Sequence, residues 1–337
     1  MTEITLNLAE RSYNITIGKN LLCSADKYFN LNRRVFIVTD SGVPAEYSEI
    51  IAKKCKASEI FTFEAGEASK SLDTIEVALK KMLDFGLSRK DAVVAVGGGV
   101  AGDLSGFLAS VYMRGIDFYN VPTTFLSQVD SSIGGKNGFN LSGVKNIVGT
   151  FYQPKAVLID TDTLKTLPER HLNAGICESV KMALTSDAEL FSIIEKEGVT
   201  EKNFEKVIEK SLLIKKKVVE EDERESGIRK ILNFGHTLGH GIEALEGGSL
   251  YHGECVSLGM LGVCSEEIKK RLIPVLKKFN LPTTYSGNLD KALEFVVHDK
   301  KCSSDGVDAV FVPEIGSFKI EKLSVADFSK LVKERLN

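Results

Sequence analysis

The chain has 337 residues, which at roughly 150 residues per domain gives about two domains and length enough for a substantial core. Hydrophobic residues make up 43% and charged residues 26%, the composition of an ordinary folded chain rather than a disordered one. Lys and Arg number 43 against 46 Asp and Glu, so the net charge of -3 excludes a bulk electrostatic grip on nucleic acid. No window of about 18 residues is apolar throughout, the N-terminal stretch lacks a signal-peptide pattern, and the cysteines are scattered without a C-x-x-C pair. The expectation is a cytoplasmic protein with reduced thiols, whose partner is neither a membrane nor a nucleic acid.

In chain order, Ile4, Leu6 and Leu8, then Tyr13, Ile15 and Ile17, alternate with period two and predict an opening strand pair. Short apolar runs bounded by turn residues follow at 35–40, 60–63, 92–96 and 156–160, the pattern of strands buried on both faces of a parallel sheet. Between them Leu72, Ile75, Leu79, Met82 and Leu83 recur at helical spacing, with Ser69 as the cap of a helix over 70–85. Strand and helix signals alternating in this way imply a parallel sheet with crossover helices. After Pro168 the next proline is Pro274, and Phe204, Val207, Ile208 and Leu212 recur at three and four, so the second half reads as helical. A late strand over 309–312 and a closing helix over 326–332 complete the pattern. The predicted division is an α/β domain over 1–165 and a helical domain over 166–337.

Three stretches carry chemistry. GGGVAGD at 97–103 follows a strand, and Gly97, Gly99 and Gly102 satisfy G-x-G-x-x-G, which lets a helix N-terminus approach a pyrophosphate. A tight strand-to-helix turn without a ligand has the same sequence. The turn also follows a later strand than the first, and the acidic residue expected about 20 positions on falls near Asp117. AGEASK at 65–70 is either a second wall of that cleft or a plain helix cap. Residues 123–146 are polar and glycine-rich and long for a plain connection. There Asp130, Lys136, Asn137, Lys145 and Asn146, with Arg114 before them, suit a phosphorylated or carboxylated small molecule, and equally a solvated surface loop.

His236 and His240 stand i, i+4 and share a helix face, as metal-binding pairs do. Thr237 occupies the place of the glutamate in H-E-x-x-H, so this is not a zincin. A catalytic zinc takes three protein ligands, and one Glu with two His is an established set. Glu178, in an otherwise apolar helical segment, is the candidate carboxylate, because a buried charge needs a partner. For each histidine a core or capping role is the alternative. The charged run 215–225 reads as a solvated face, with Lys215 as the exception that turns toward the histidines.

GGGVAGDLSGFLAS, VPTTFLSQVDSSIGGKNGFN, KNIVGTFYQP, GICESVKMAL, ILNFGHTLGHGIE and YHGECVSLGM together resemble the 3-dehydroquinate synthase family, in order from about residue 35 to 315. The resemblance implies a Rossmann-like nucleotide-binding α/β domain followed by a mainly α-helical domain. It implies conversion of 3-deoxy-D-arabino-heptulosonate 7-phosphate to 3-dehydroquinate and inorganic phosphate, in the shikimate route to chorismate. The cofactors would be NAD and one divalent metal, Zn2+ or Co2+, and the assembly a homodimer. Matched motif by motif, the metal ligands would be Glu178, His236 and His252. His240 then handles a substrate hydroxyl or a proton, in place of the pairing with His236 that spacing alone favours.

By the same resemblance NAD would meet Asp40, Gly66, Glu67, Lys70, Gly98, Gly99, Val100, Ala101, Gly102, Asp103, Thr123, Thr124, Lys136, Lys145, Thr163, Leu164, Lys165 and Thr166. Substrate and catalytic contacts would fall on Arg114, Asp130, Lys136, Asn146, Lys181, Lys215, Arg229, Asn233, His240 and Lys300, with Lys301 the alternative to the last. In relatives the arginine matching Arg114 crosses a dimer interface. Ser41 departs from the family, which has an amide side chain after Asp40. The rivals are a sister sugar phosphate cyclase, a metal-dependent polyol dehydrogenase and a non-catalytic nucleotide-binding regulator. The basic cluster disfavours the dehydrogenase, whose neutral substrates offer no anion to hold.

Overall fold

The structure, a computed structural model, describes residues 1–300 and 306–336, and of 297–300 the backbone only. It divides into two compact units, Met1–Leu167 and Pro168–Asn337.

The first unit opens with β1 (Thr2–Leu6) and β2 (Tyr13–Gly18), antiparallel with Thr2 opposite Ile17. Then come β3 (Arg34–Asp40), α1 (Ala45–Ala52), β4 (Ala57–Phe63), α2 (Leu72–Asp84), β5 (Ala92–Gly97), α3 (Gly99–Val111) and β6 (Asp117–Pro122). A hairpin of β7 (Lys136–Leu141) and β8 (Val144–Phe151) precedes β9 (Ala156–Asp160). Seven strands form one sheet in the order β1-β2-β9-β6-β5-β3-β4, in which every pair but β1–β2 is parallel. Side chains alternate across it. Phe36 and Val38 pack with Ile75, Met82, Leu104 and Leu108 on one face, while Val35 and Ile37 pack with Ile51, Val94 and Leu158 on the other.

Four local expectations need correction. β4 is an edge strand, and Ile60 is 38% exposed rather than buried on both faces. The cap of α2 is Ser71, whose hydroxyl accepts from Thr74 N at 3.3 Å; the Ser69 hydroxyl goes to Glu64 O instead. β6 was absent from the strands read in sequence because Asp117, Asn120 and Pro122 interrupt its apolar run. Residues 123–146 are not a loop: they hold a π-helical turn, Ser127–Ser131, and most of the β7–β8 hairpin. Gly138 and Gly149 face each other there, and a Cβ on either would lie 2.6 or 2.3 Å from a backbone oxygen. These two glycines serve strand pairing.

The second unit contains α4 (Glu169–Ser186), α5 (Ala188–Glu197), α6 (Phe204–Glu221), α7 (His236–Glu246), α8 (His252–Val263), α9 (Glu266–Lys278) and α10 (Leu289–Lys300). It ends with the antiparallel pair β10 (Val307–Phe311) and β11 (Lys319–Leu323), then α11 (Val325–Leu336). β11 escaped the sequence reading, and Pro274 sits inside α9 rather than ending it. α8 is the central element, buried from Gly253 to Val263. A Cβ on Gly253 would lie 1.9 Å from Ala174 O of α4, and one on Gly259 would lie 1.8 Å from Gly235 O beside α7. The three helices therefore meet backbone to backbone.

Gly259→Ala should force α7 and α8 apart and cost about 1–3 kcal/mol, the range for overpacking a filled core. In a unit of this size that lowers Tm by several degrees in a calorimetric scan. An unchanged Tm would mean that the two helices are not in obligatory contact.

Candidate active site

Glu178 occupies the middle of α4, in a stretch buried from Asn173 to Thr185, and is itself 0% exposed. Its Oε1 lies 3.6 Å from His236 Nε2 and 3.5 Å from His252 Nε2. Its Oε2 is ion-paired with Lys181 Nζ, one turn further along α4. Neither oxygen accepts a hydrogen bond of regular geometry. His236 opens α7 and His252 opens α8, and both reach Glu178 because α8 lies so close to its neighbours. His240 follows one turn after His236, with ring centroids 5.2 Å from His236 and 5.7 Å from His252. Donor atoms of the three histidines lie within 4.8 Å of one another.

The far nitrogens are also engaged. His236 Nδ1 donates to Phe234 O at 3.1 Å, and His252 Nδ1 donates to Glu243 Oε2 at 3.1 Å. Burial alone would raise the Glu178 pKa, but Lys181, His236 and His252 outweigh it and hold the carboxyl well below its usual range. Burial, with Lys181 beside it, keeps His236 neutral. Burial opposes charge on His252 too, yet Glu178 and Glu243 on either side push its pKa up to about 10. A carboxylate with no regular donors and two imidazole nitrogens is the donor set of a catalytic divalent metal. Such a cation would take the place of the proton that His252 otherwise holds. The residues fit a metal.

Three of the cations expected on the substrate are buried: Lys181 at 1%, Lys215 at 5% and Arg229 at 2% exposure. The solvated face expected of the rest of the charged run holds only in part: Lys217, Glu221 and Arg224 are exposed, Lys216 and Glu220 form a half-buried pair at 2.8 Å, and Asp222 is buried because it folds the loop that follows. Arg229 and Asn233 ride on a 3-10 segment, Ile228–Asn233, whose approach is shaped by Asp222. That carboxylate accepts from Ser226 N at 2.9 Å, Gly227 N at 2.7 Å and Arg229 N at 3.0 Å. The Arg229 guanidinium donates to Glu223 O. Asn233 Nδ2 donates to Glu225 Oε1 at 2.9 Å, from a Glu225 held at φ 61°. Asp222, Glu225 and Glu243 carried no role in the sequence reading. Glu243 had one signal, its place seven residues after His236 on the same helix face. The side chain of Lys300, and Lys301 entirely, lie outside the described residues.

In the first unit the parallel strands end along one edge at Asp40, Gly97, Pro122 and Asp160, where open α/β sheets bind ligands. Asp40, residues 98–103, Thr123, Thr124 and residues 163–166 all lie at or just beyond these ends. Gly98 caps α3 without a side-chain hydrogen bond, so the N–H groups of the first turn point outward. A Cβ on Gly97 would lie 2.7 Å from Ala101, and one on Gly98 3.0 Å from Thr124, so side chains there would fill the approach. The Ser131 hydroxyl beside Gly99 is buried without a partner. This cradle fits a nucleotide phosphate.

A polar network joins some of the remaining candidates. Lys70, 4% exposed, donates to Asp103 Oδ2 at 2.7 Å and to Asn146 Oδ1. Glu67 Oε1 accepts from Asn140 Nδ2 at 2.9 Å, and Gly66 supplies the turn with φ 120°. Asn146, expected on the substrate, is thus in direct contact with Lys70, expected on NAD. Asp130 lies in the π-helical turn, Thr166 Oγ1 shares a hydrogen bond with Tyr47 at 2.9 Å, and Lys165 pairs with Asp162 at 2.6 Å. Arg114, Lys136 and Lys145 are exposed. The Ser41 hydroxyl accepts from Ala65 N at 2.9 Å and so ties the Asp40 turn to the 65–70 segment.

Comparison with known proteins adds sequence and structural relatives. Residues 60–174 match a family model described as 3-dehydroquinate synthase N-terminal, and residues 175–302 one described as 3-dehydroquinate synthase C-terminal. The 3-dehydroquinate synthase of Streptococcus sanguinis (strain SK36) is 41% identical over 354 residues, covering 98% of this chain and 100% of that protein. A 2-deoxy-scyllo-inosose synthase complexed with carbaglucose-6-phosphate, NAD+ and Co2+ superposes with TM-score 0.90 at 28% identity, covering 99% and 100% of the two chains. The 2-epi-5-epi-valiolone synthase ValA of Streptomyces hygroscopicus subsp. jinggangensis 5008, with NAD+ and Zn2+ bound, gives 0.88 at 26% identity over 98% and 99%.

The loop around Asp222 yields a pH prediction. Burial works against the charged carboxylate, but backbone donors from Gly227, Arg229 and Ser226 lower its pKa from 3.8 to about 2. A depressed carboxylate pKa contributes stability above the unfolded value, and that stability is lost as pH falls through the folded value. The Tm gap between wild type and Asp222→Asn should therefore be full above about pH 4 and close as pH drops toward 2. A gap that is constant across this window would remove the charge from the account.

Proposed function

Because the chain belongs to the 3-dehydroquinate synthase family, we propose that it converts 3-deoxy-D-arabino-heptulosonate 7-phosphate to 3-dehydroquinate and inorganic phosphate, a carbon–oxygen lyase reaction using NAD and one zinc or cobalt ion. The observation that carries this reading to the site is Glu178, fully buried, without regular hydrogen-bond donors, and faced by the Nε2 atoms of His236 and His252. These three residues would hold the metal. Residues 1–165 would bind NAD, with the uncapped N-terminus of α3 against its phosphates, and residues 166–337 would bind metal and substrate.

NAD and the metal, when bound, would supply reversible hydride exchange and polarisation of a substrate oxygen. The protein supplies position and counter-charge. Elimination of phosphate needs loss of a proton from the carbon adjacent to the one that bears the phosphate, and negative charge grows there as the C–O bond breaks. Lys181, Lys215 and Arg229, desolvated as they are, stabilise that charge more strongly than cations in water. His240 moves a proton at an imidazole nitrogen, one turn from His236. Asn233, oriented by Glu225, fixes a hydroxyl. Asp130, Lys136, Asn146, Arg114 and Lys300 are the further substrate contacts of this reading. Holding the substrate phosphate where its own oxygen meets the proton accounts for much of the rate.

Homodimer formation is supported by exposed apolar side chains on the β7–β8 hairpin, Leu141, Val144, Ile147 and Phe151, and by Met113 beside Arg114. Among the described residues no helix is long and apolar enough to cross a membrane, which suits work in the cytoplasm.

The test incubates the purified chain with the heptulosonate phosphate, catalytic NAD and Zn2+. Phosphate release without NADH accumulation is expected, and steady NADH growth on a neutral polyol would overturn the reading. His236→Ala should abolish turnover and lose the metal, whereas His240→Ala should keep the metal and slow the reaction. Metal loss from both variants would sink the division of roles between the two histidines.

A further inference from the structure

We propose that Glu243 is a positioning residue of the metal site, holding the His252 ring so that Nε2 stays turned toward Glu178. The inference rests on reading Glu178, His236 and His252 as metal ligands. His236, His240 and Glu243 stand at i, i+4 and i+7 on α7, so one helix face presents all three. Glu243 Oε2 meets His252 Nδ1 at 3.1 Å, with the two side chains 16% and 28% exposed. An ionised carboxylate only accepts hydrogen bonds, so Nδ1 carries the proton. Nε2, across the ring, then offers its lone pair to a cation, 3.5 Å from Glu178 Oε1.

The two histidines differ in what holds them. His236 Nδ1 is fixed by a neutral backbone oxygen, Phe234 O, whereas His252 Nδ1 is fixed by a full negative charge. A carboxylate behind a ligating imidazole sets its orientation and raises its basicity, and losing one costs about 10–100-fold in metal affinity. The backbone at His252 is anchored by other means. Glu254 accepts from Tyr251 N at 2.8 Å and from Arg170 Nε and Nη2 at 2.7 and 2.8 Å. Arg170 also stacks on Tyr251, 4.1 Å from its ring centre. The start of α8 therefore does not depend on Glu243, whose hydrogen bond acts on the ring alone.

The experiment strips the full chain of metal and titrates Zn2+ in competition with a chromophoric chelator, for wild type, Glu243→Ala, Glu243→Gln and His252→Ala. His252→Ala should lose tight binding. Glu243→Ala should bind about 10–100-fold more weakly, and Glu243→Gln, which keeps an accepting oxygen, should fall between. With Co2+ in place of Zn2+, the visible absorption bands of Glu243→Ala should shift from those of wild type. The metal-free melting temperatures of both Glu243 variants should match wild type. Wild-type Zn2+ affinity in Glu243→Ala, alongside loss in His252→Ala, would overturn the role of Glu243 and leave the ligand set standing. Wild-type affinity in His252→Ala would overturn the ligand set and the inference with it.

Discussion

A carboxylate taken fully out of water governs the architecture of the second unit. Glu178 is 0% exposed, and an ion so placed costs several kcal/mol unless positive charge reaches it. Positive charge comes from Lys181 on α4 itself and from His252 at the start of α8, and the neutral His236 ring at the start of α7 faces the same carboxylate. For them to converge, the helix backbones must approach more closely than side chains permit. The glycines that allow this adjoin the histidines in sequence, Gly235 before His236 and Gly253 after His252. Packing and chemistry are thus written into the same dipeptides, and neither can change without the other.

The first unit follows a related logic with the opposite sign. Its parallel strands deliver backbone turns to one edge, and α3 begins there with a glycine in place of a capping Ser or Asp. The uncapped N–H groups carry partial positive charge and suit an anion. Buried hydroxyls without partners, Ser131 at this edge and Thr39 near the end of β3, mark the same region. Polar groups left unsatisfied by the protein are expected where a ligand supplies what is missing. In each unit some of the unsatisfied buried groups, Ser131 and Thr39 in the first and Glu178 in the second, lie at the candidate binding surface.

Much of the fold was legible because hydrophobic periodicity reports which face of an element is buried. The β3 and β5 runs, the α2 spacing and the helical second half all follow that rule. β6 did not, since Asn120 and Pro122 are tolerated by tertiary surroundings that the local pattern does not encode. The β7–β8 hairpin failed for another reason: its glycines are required for backbone contact between the strands, and in sequence they look like loop residues. The site divides in the same way. His236 and His240 were visible as a helical pair, but the convergence of Glu178 and His252 depends on how three helices pack. Glu243 lay inside a motif already singled out, yet its role depends on where α8 brings His252, which spacing along α7 cannot give.

The charge balance takes on a different meaning at the level of the site. A net charge of -3 over the chain conceals Lys181, Lys215 and Arg229, all buried in one unit. Long cationic side chains are rarely buried without partners. Here part of the compensation comes from groups that also shape the site: Glu178 for Lys181, and the Glu223 carbonyl for the guanidinium of Arg229. Asp222 folds the intervening loop, its carboxylate accepting from the backbone N–H groups of Ser226, Gly227 and Arg229. The three cations thus lie where water is largely excluded. A small anion entering such a region gains more from each cation than it would at a surface, because screening there is weak. A chain with an acidic excess overall can in this way be selective for a compact polyanion while remaining indifferent to an extended one.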